Sequence, residues 1–234
     1  MYVYGPVAFR RLGRSLGVNP IPPKTCSYSC LYCQLGRTTR LQTARDSFYP
    51  REDIFMEIVE RARYSKPGLI TFIGDGEPTL CEDLGWLISR AKNKLSVPAA
   101  VITNGSLLYQ EDVRRDLKNA DIVILKLDAG YETTFRILNR PHLCTGFDIM
   151  IQGMAKFRRE YPGQIWIEVM LVKGINDNEK ELYGIKRNID MINPDRVYVL
   201  TPNRPPAEAW IKSVDEEDIL NAQEIIEGAV PVAG

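Results

Sequence analysis

Histidine occurs once in the 234 residues, at His142, and neither sign of charge is in excess, Lys plus Arg and Asp plus Glu numbering 30 each. A single imidazole excludes metal centres built on several histidines. Zero net charge removes any general attraction to nucleic acid or to an anionic membrane, though a local basic patch stays open. No run of about 18 uncharged apolar residues exists, so no segment reads as a membrane span. The apolar, aromatic start at residues 1–9 lacks the basic head and small-residue cleavage site of a signal peptide. The expected location is therefore the cytoplasm. Internal repeats and low-complexity tracts are missing too. Hydrophobic residues at 44% and charged residues at 26% are ordinary for a globular protein, and the length suits one large domain.

What is present is an alternation of short apolar runs with longer amphipathic ones. The runs at 69–73 (LITFI), 99–102 (AAVI), 122–127 (IVILKL), 165–172 (IWIEVMLV) and 197–200 (VYVL) read as strands, and a sixth strand is expected at about 17–21. Helical spacing marks 51–63, 81–95, 110–118, 147–160, 179–192 and 215–227. In the first of these, Ile54, Phe55, Ile58, Val59 and Ala62 fall on one face. Asn176-Asp177 ahead of Glu179, and Ser213 three residues before Glu216, read as helix caps. Continuously apolar strands alternating with helices predict parallel βα units. About six units fall short of the eight of a closed barrel, so the expected fold is α/β: a partial (βα)6 TIM-like barrel with outer helices, open laterally. Its strands end in GDGEPT, TNG, LDA, VKGIND and TPNRPP, the loop chemistry of a ligand-binding edge.

Five cysteines are present, and Cys26-Ser-Tyr-Ser-Cys30-Leu-Tyr-Cys33 packs three of them into eight residues. A secreted disulfide framework would pair fully and spread more evenly. The spacing CxxxCxxC lets three thiolates converge on one metal cluster. Three ligands leave one iron of a [4Fe–4S] cube free for a small molecule. A zinc site completed by Cys81, Cys144 or His142 is the alternative. Arg14, Lys24, Arg37 and Arg40 flank the motif, together with Arg10 and Arg11.

The motif, with aromatic Tyr32 before its third cysteine, resembles the CxxxCx(aromatic)C of the radical S-adenosylmethionine (SAM) superfamily. Gly74-Asp75-Gly76-Glu77-Pro78 is similar to that superfamily's GGEP segment after its second strand. Four stretches are similar to radical SAM proteins related to archaeal tRNA wyosine-forming enzymes: RRLGRSLG at 10–17, PPKT at 22–25, QLGR at 34–37 and TPNRPP at 201–206. The resemblance covers nearly the whole chain and implies one domain over 1–234, with a cluster loop at about 22–40 and a barrel at about 17–230. It implies a single [4Fe–4S] cluster on Cys26, Cys30 and Cys33, reductive cleavage of SAM to a 5′-deoxyadenosyl radical, and hydrogen abstraction from a substrate. It implies a reductant such as flavodoxin or ferredoxin.

The resemblance also implies residue roles. Gly74, Asp75, Gly76, Glu77 and Pro78 would run past the methionine part of SAM, with Glu77 or a backbone carbonyl accepting from its ammonium. Thr103 and Asn104 suit its carboxylate or the ribose, unless they merely form a turn. Lys126 and Asp128, two apart on one face, point to the barrel mouth or to each other. Glu168 and Met170 share a face that contacts ribose and adenine in related enzymes, and Tyr32 would meet the adenine edge. Arg140, His142 and Arg204 are substrate candidates. Four function classes follow: a modifying enzyme for RNA or a nucleotide, an activase or modifying enzyme for a protein or peptide, an electron-transfer protein, and a zinc-binding domain.

Overall fold

The computed structural model describes residues 1–9 and 12–231, with the backbone alone at 8 and 9. Arg10 and Arg11 of the N-terminal basic group lie outside the described residues. One eight-stranded sheet runs in the order β1 (Val3–Phe9), β2 (Gly13–Val18), β5 (Leu69–Phe72), β6 (Ala99–Thr103), β7 (Ile122–Lys126), β8 (Gln164–Met170), β9 (Arg196–Leu200) and β10 (Ala229–Pro231). The two remaining strands, β3 (Thr25–Cys26) and β4 (Arg40–Leu41), pair with each other. β1 is antiparallel to β2, and every later pairing in the large sheet is parallel. The order ends at β1 and β10 without closing, so the barrel is partial and open as its apolar strands imply.

Helices α1 (Arg51–Ser65), α2 (Leu84–Leu95), α3 (Glu111–Leu117), α4 (Glu132–Asn139), α5 (Phe147–Glu160), α6 (Glu179–Ile192) and α7 (Glu216–Ile225) join the strands. They form because each places an apolar stripe against the sheet. In α1, Ile54, Ile58, Val59 and Ala62 are buried at helical spacing. One core cluster joins Val101, Val123, Leu125, Ile165, Ile167 and Val199 of the strands to Leu87, Met154 and Ile185 of the helices. Alternate strand residues face the other way, where Ile124, Trp166 and Tyr198 form a separate cluster. Among the described residues no helix is long and apolar enough to cross a membrane.

Several expectations shift. The first parallel strand is Gly13–Val18 and stops before Asn19-Pro20, because proline has no N–H to give the ladder. α2 begins at Leu84, after a 3-10 turn at Pro78–Leu80. α6 is capped by Asn178, whose side chain accepts from Glu181 N, and Asn176 is used elsewhere. Asp215 and Asp218 form the capping box of α7, while the Ser213 hydroxyl donates to the Pro202 carbonyl. β1, α4 and β10 were not legible. β1 is broken by Gly5-Pro6 and shifts register between Tyr4 and Val7; β10 is a three-residue edge strand that ends in proline.

Candidate functional site

The cysteine loop leaves β2 and crosses the carboxyl edge of the sheet. Its first limb is held by backbone on two sides. Lys24 N donates to Asp75 O at 2.6 Å and Glu77 N to Thr25 O at 3.0 Å, while Arg40 N donates to Lys24 O and Gln42 N to Cys26 O. A Cβ on Gly76 would stand 1.8 Å from the Thr25 carbonyl oxygen, and one on Gly74 would stand 2.8 Å from Ile21. The close approach that these glycines allow is thus made by the chain's own loop. Asp75 accepts from the Asn19 amide at 3.1 Å and braces the same crossing.

The second limb is stitched to the end of α4. Leu31 N donates to Leu138 O, Ser29 N to Asn139 O and His142 N to Ser27 O. Leu31 is buried with Leu138, Val172 and Ile211. Glu208, on the segment after β9, donates its N–H to Leu31 O at 3.1 Å and closes the loop from above.

Glu77, 2% exposed, keeps its carboxylate for the protein. Oε1 accepts from Thr79 N at 3.0 Å and from the hydroxyls of Thr79 and Thr103 at 2.6 Å each, and Oε2 from Asn104 N at 2.8 Å. Burial still pushes its carboxyl upward against the pull of these donors. Asp128 is arranged alike. Its Oδ2 accepts from the Tyr32 hydroxyl and from Asn139 Nδ2 at 3.0 Å, and its Oδ1 from Met170 N at 2.8 Å. Lys126 Nζ lies 3.7 Å from Asp128 and 3.6 Å from Glu168, its register partner on β8, and stands over the Tyr32 ring.

The thiols sit between these two carboxylates. Cys26 Sγ accepts from Tyr28 N at 3.4 Å and Asn104 Nδ2 at 3.7 Å; Cys30 Sγ accepts from Asn139 Nδ2 at 3.5 Å. Burial pushes the Cys30 thiol up to about 12, with Asp128 adding and Asn139 opposing. Burial raises Cys26 and Cys33 too. Thiolates here therefore call for a cationic partner, which an iron–sulfur cluster provides. Among the described residues no three His, Cys, Asp or Glu stand close enough to hold one metal ion. A cube takes each thiolate on a different iron and so sets the sulfurs farther apart than a single ion does. Three thiols on one loop, two of them met by side-chain amides, fit such a cube.

Of the candidates, Tyr32, Lys126, Asp128, Glu168 and Met170 gather on one side of the thiols, and Gly74 to Pro78 with Thr103 and Asn104 on the other. Arg140, His142 and Arg204 lie on the rim. Arg140 pairs with Glu208, which also takes a two-pronged bond from Arg37. Arg204 donates to the Gln34 side chain, and His142 Nδ1 accepts from Cys144 N. Cys81 is buried and Cys144 exposed, both free. Sequence reading missed Asn139, Asn176 and Glu208. The Asn176 amide donates to the carbonyls of Asp128 and Met170 and joins the ends of β7 and β8. Asn139 had one signal: it ends a short amphipathic stretch just before Arg140-Pro141. Glu208 had none, since its partners are 68 and 171 positions away.

An open parallel α/β barrel with a three-cysteine loop across its carboxyl edge is the architecture of an enzyme class. Residues 21–184 match the Radical SAM superfamily, and the chain belongs to it. It is 42% identical over 226 residues to a Brachyspira hyodysenteriae protein described as GTPase Obg, a match over 96% of this chain and 33% of that protein. It is 42% identical over 212 residues to UPF0026 protein MJ1312 of Methanocaldococcus jannaschii, over 89% of this chain and 66% of that one. The chain thus spans a third to two thirds of these relatives. No GxxxxGK(S/T) phosphate loop occurs in it. The structure of TYW1 with a lysine-pyruvate adduct bound superposes with a TM-score of 0.70 at 15% identity, over 92% of this chain and 73% of that one, a likeness of fold.

Proposed function

We propose that this chain binds one [4Fe–4S] cluster on Cys26, Cys30 and Cys33 and cleaves SAM reductively to start radical chemistry on an anionic, nucleotide-like or RNA substrate. When bound, the cluster supplies the electron that splits the SAM sulfonium into methionine and a 5′-deoxyadenosyl radical. The observation that carries the reading is the three-thiol loop clamped across the carboxyl edge with amide donors on two of its sulfurs.

The chain's own residues position and shield. Gly74, Gly76 and Asp75 fix the first limb of the loop. Glu77 holds Thr79, Thr103 and Asn104 in place, so the SAM ammonium falls to backbone carbonyls and not to this carboxylate. Lys126, Asp128, Glu168, Met170 and Tyr32 form the wall on which the ribose and adenine would rest. The exposed guanidinium groups of Arg37 and Arg140, with Arg204, favour an anionic substrate at the rim. Electrons would come from a flavodoxin or ferredoxin.

The test is anaerobic reconstitution, reduction with dithionite and addition of SAM, with 5′-deoxyadenosine read by mass spectrometry. Slow formation that disappears in the Cys26→Ala/Cys30→Ala/Cys33→Ala variant supports the reading. A protein that binds only zinc, or whose cluster does not respond to SAM, overturns it.

A further inference from the structure

Two of the loop's three sulfurs each face a side-chain amide. Asn104 follows β6 and Asn139 ends α4, yet each aims a side-chain amide at one cysteine. Neither amide can be turned around. Asn139 Nδ2 also meets Asp128 Oδ2 at 3.0 Å, and a carboxylate only accepts. Asn104 Oδ1 accepts from Ser106 N at 2.9 Å, and a backbone N–H only donates. Both amides therefore present N–H to sulfur, and Asn104 Nδ2 divides its two hydrogens between Ser27 Oγ at 2.8 Å and Cys26 Sγ at 3.7 Å. Each is anchored in turn to a buried carboxylate: Asn104 through its backbone N on Glu77, and Asn139 through its side chain on Asp128. Among the described residues no side-chain amide meets Cys33 in this way; burial raises its thiol, while the backbone at Leu35 and the charge of Lys24 oppose this.

We infer that Asn104 and Asn139 are positioning residues that set the reduction potential of the cluster, by stabilising negative charge on the sulfurs of Cys26 and Cys30. This rests on the proposed reading that those cysteines hold the cluster. One electron from a low-potential donor adds one unit of negative charge, shared with the thiolate sulfurs. N–H···S bonds strengthen as that charge grows and so favour the reduced form. Removing either donor makes the cluster harder to reduce. The carboxylates work in the opposite sense, and by holding the amides in place they offset their own charge.

The experiment is a redox titration of the reconstituted full chain, followed by electron paramagnetic resonance, for wild type, Asn104→Leu, Asn139→Leu and the double variant. Thr38→Val is the control, since it breaks the 2.6 Å bond to the Tyr28 carbonyl in the same loop without touching sulfur or either amide. Iron and sulfide content is measured first. A wild-type chain that takes up no cluster overturns the parent reading and this inference with it. With the cluster present, the inference expects a more negative midpoint in each single variant, a further shift in the double variant, and no shift in Thr38→Val. Midpoints equal to wild type, or an equal shift in Thr38→Val, overturn the inference and leave the parent reading standing. If the leucine variants load poorly, Asn104→Thr and Asn139→Thr are titrated instead, as they keep a hydroxyl but withdraw the amide. Failure of these to load as well makes the role architectural and ends the inference.

Discussion

Both ends of the parallel sheet use the same staple, an acidic side chain that accepts the backbone N–H of a neighbouring strand. At the amino end, Asp121 accepts from Ala99 N and from Lys92, and Asp195 accepts from Ile165 N and from Arg158. At the carboxyl end, Glu77 accepts from Asn104 N and Asp128 from Met170 N. The difference lies in what completes each staple. Asp121 and Asp195 stand half in water, each with a single cation. Glu77 is buried among neutral donors, and Asp128 among neutral donors plus a lysine that it shares. The amino end holds strands in line. The carboxyl end does that too, and it also carries fixed dipoles to the thiols, which is what a site for charge transfer needs.

The comparison breaks most sharply at Glu77. Glu77→Leu strands donors from Thr79, Thr103 and Asn104 away from water, and a loss of at least about 3 kcal/mol is expected in urea unfolding of the apoprotein. A loss under about 1 kcal/mol would mean that water or a shifted loop replaces the carboxylate. Gly76→Ala comes next. Its methyl group meets the Thr25 carbonyl, so about 2 kcal/mol is expected to be lost, together with cluster uptake, read as iron bound per chain. Normal uptake would show that the loop crossing is more yielding than its geometry.

At the amino end the effects are smaller. Asp121→Ala is expected to cost about 1 kcal/mol, and the cost should shrink in high salt because its partner Lys92 is partly solvated. A cost that salt leaves unchanged would put the two ends in one class. The smallest effect is expected at Glu208, where Arg37 and Arg140 hold the carboxyl down at about 2, against an ordinary value of 4.5. A lowered folded value contributes stability above the unfolded one and loses it as pH falls. The stability gap between wild type and Glu208→Gln should thus be constant above about pH 5 and close as pH drops toward 2. A gap that widens in acid would contradict the arginine pairing.

Strands β5 to β9 were legible because parallel strands are covered on both faces and read as unbroken apolar runs, as LITF does with all four residues buried. The cysteine motif was legible because its ligands are local in sequence. What stayed hidden depends on distant partners. GDGEP reads as a ligand loop, yet its Gly76 admits the Thr25 backbone and its Gly74 the Ile21 side chain, each some fifty residues away. Lys126 and Asp128 were seen as a pair, but Glu168 joins them only through the register of β7 on β8. α4 is hard to read because it has only eight residues, two of them threonines of low helix propensity, although it delivers Asn139 to Cys30.

The segment after β9 reaches back over the cysteine loop, and Glu208 is joined to Arg37 across 171 positions. During synthesis the thiols emerge long before the acid that covers them. At about 5–20 residues per second the interval is roughly ten to thirty seconds. For that time the loop lacks the clasp that Glu208 makes with Arg37. On the reading proposed above, the order of translation would let a cluster load before Glu208, which follows β1 to β9 in the chain, closes the loop.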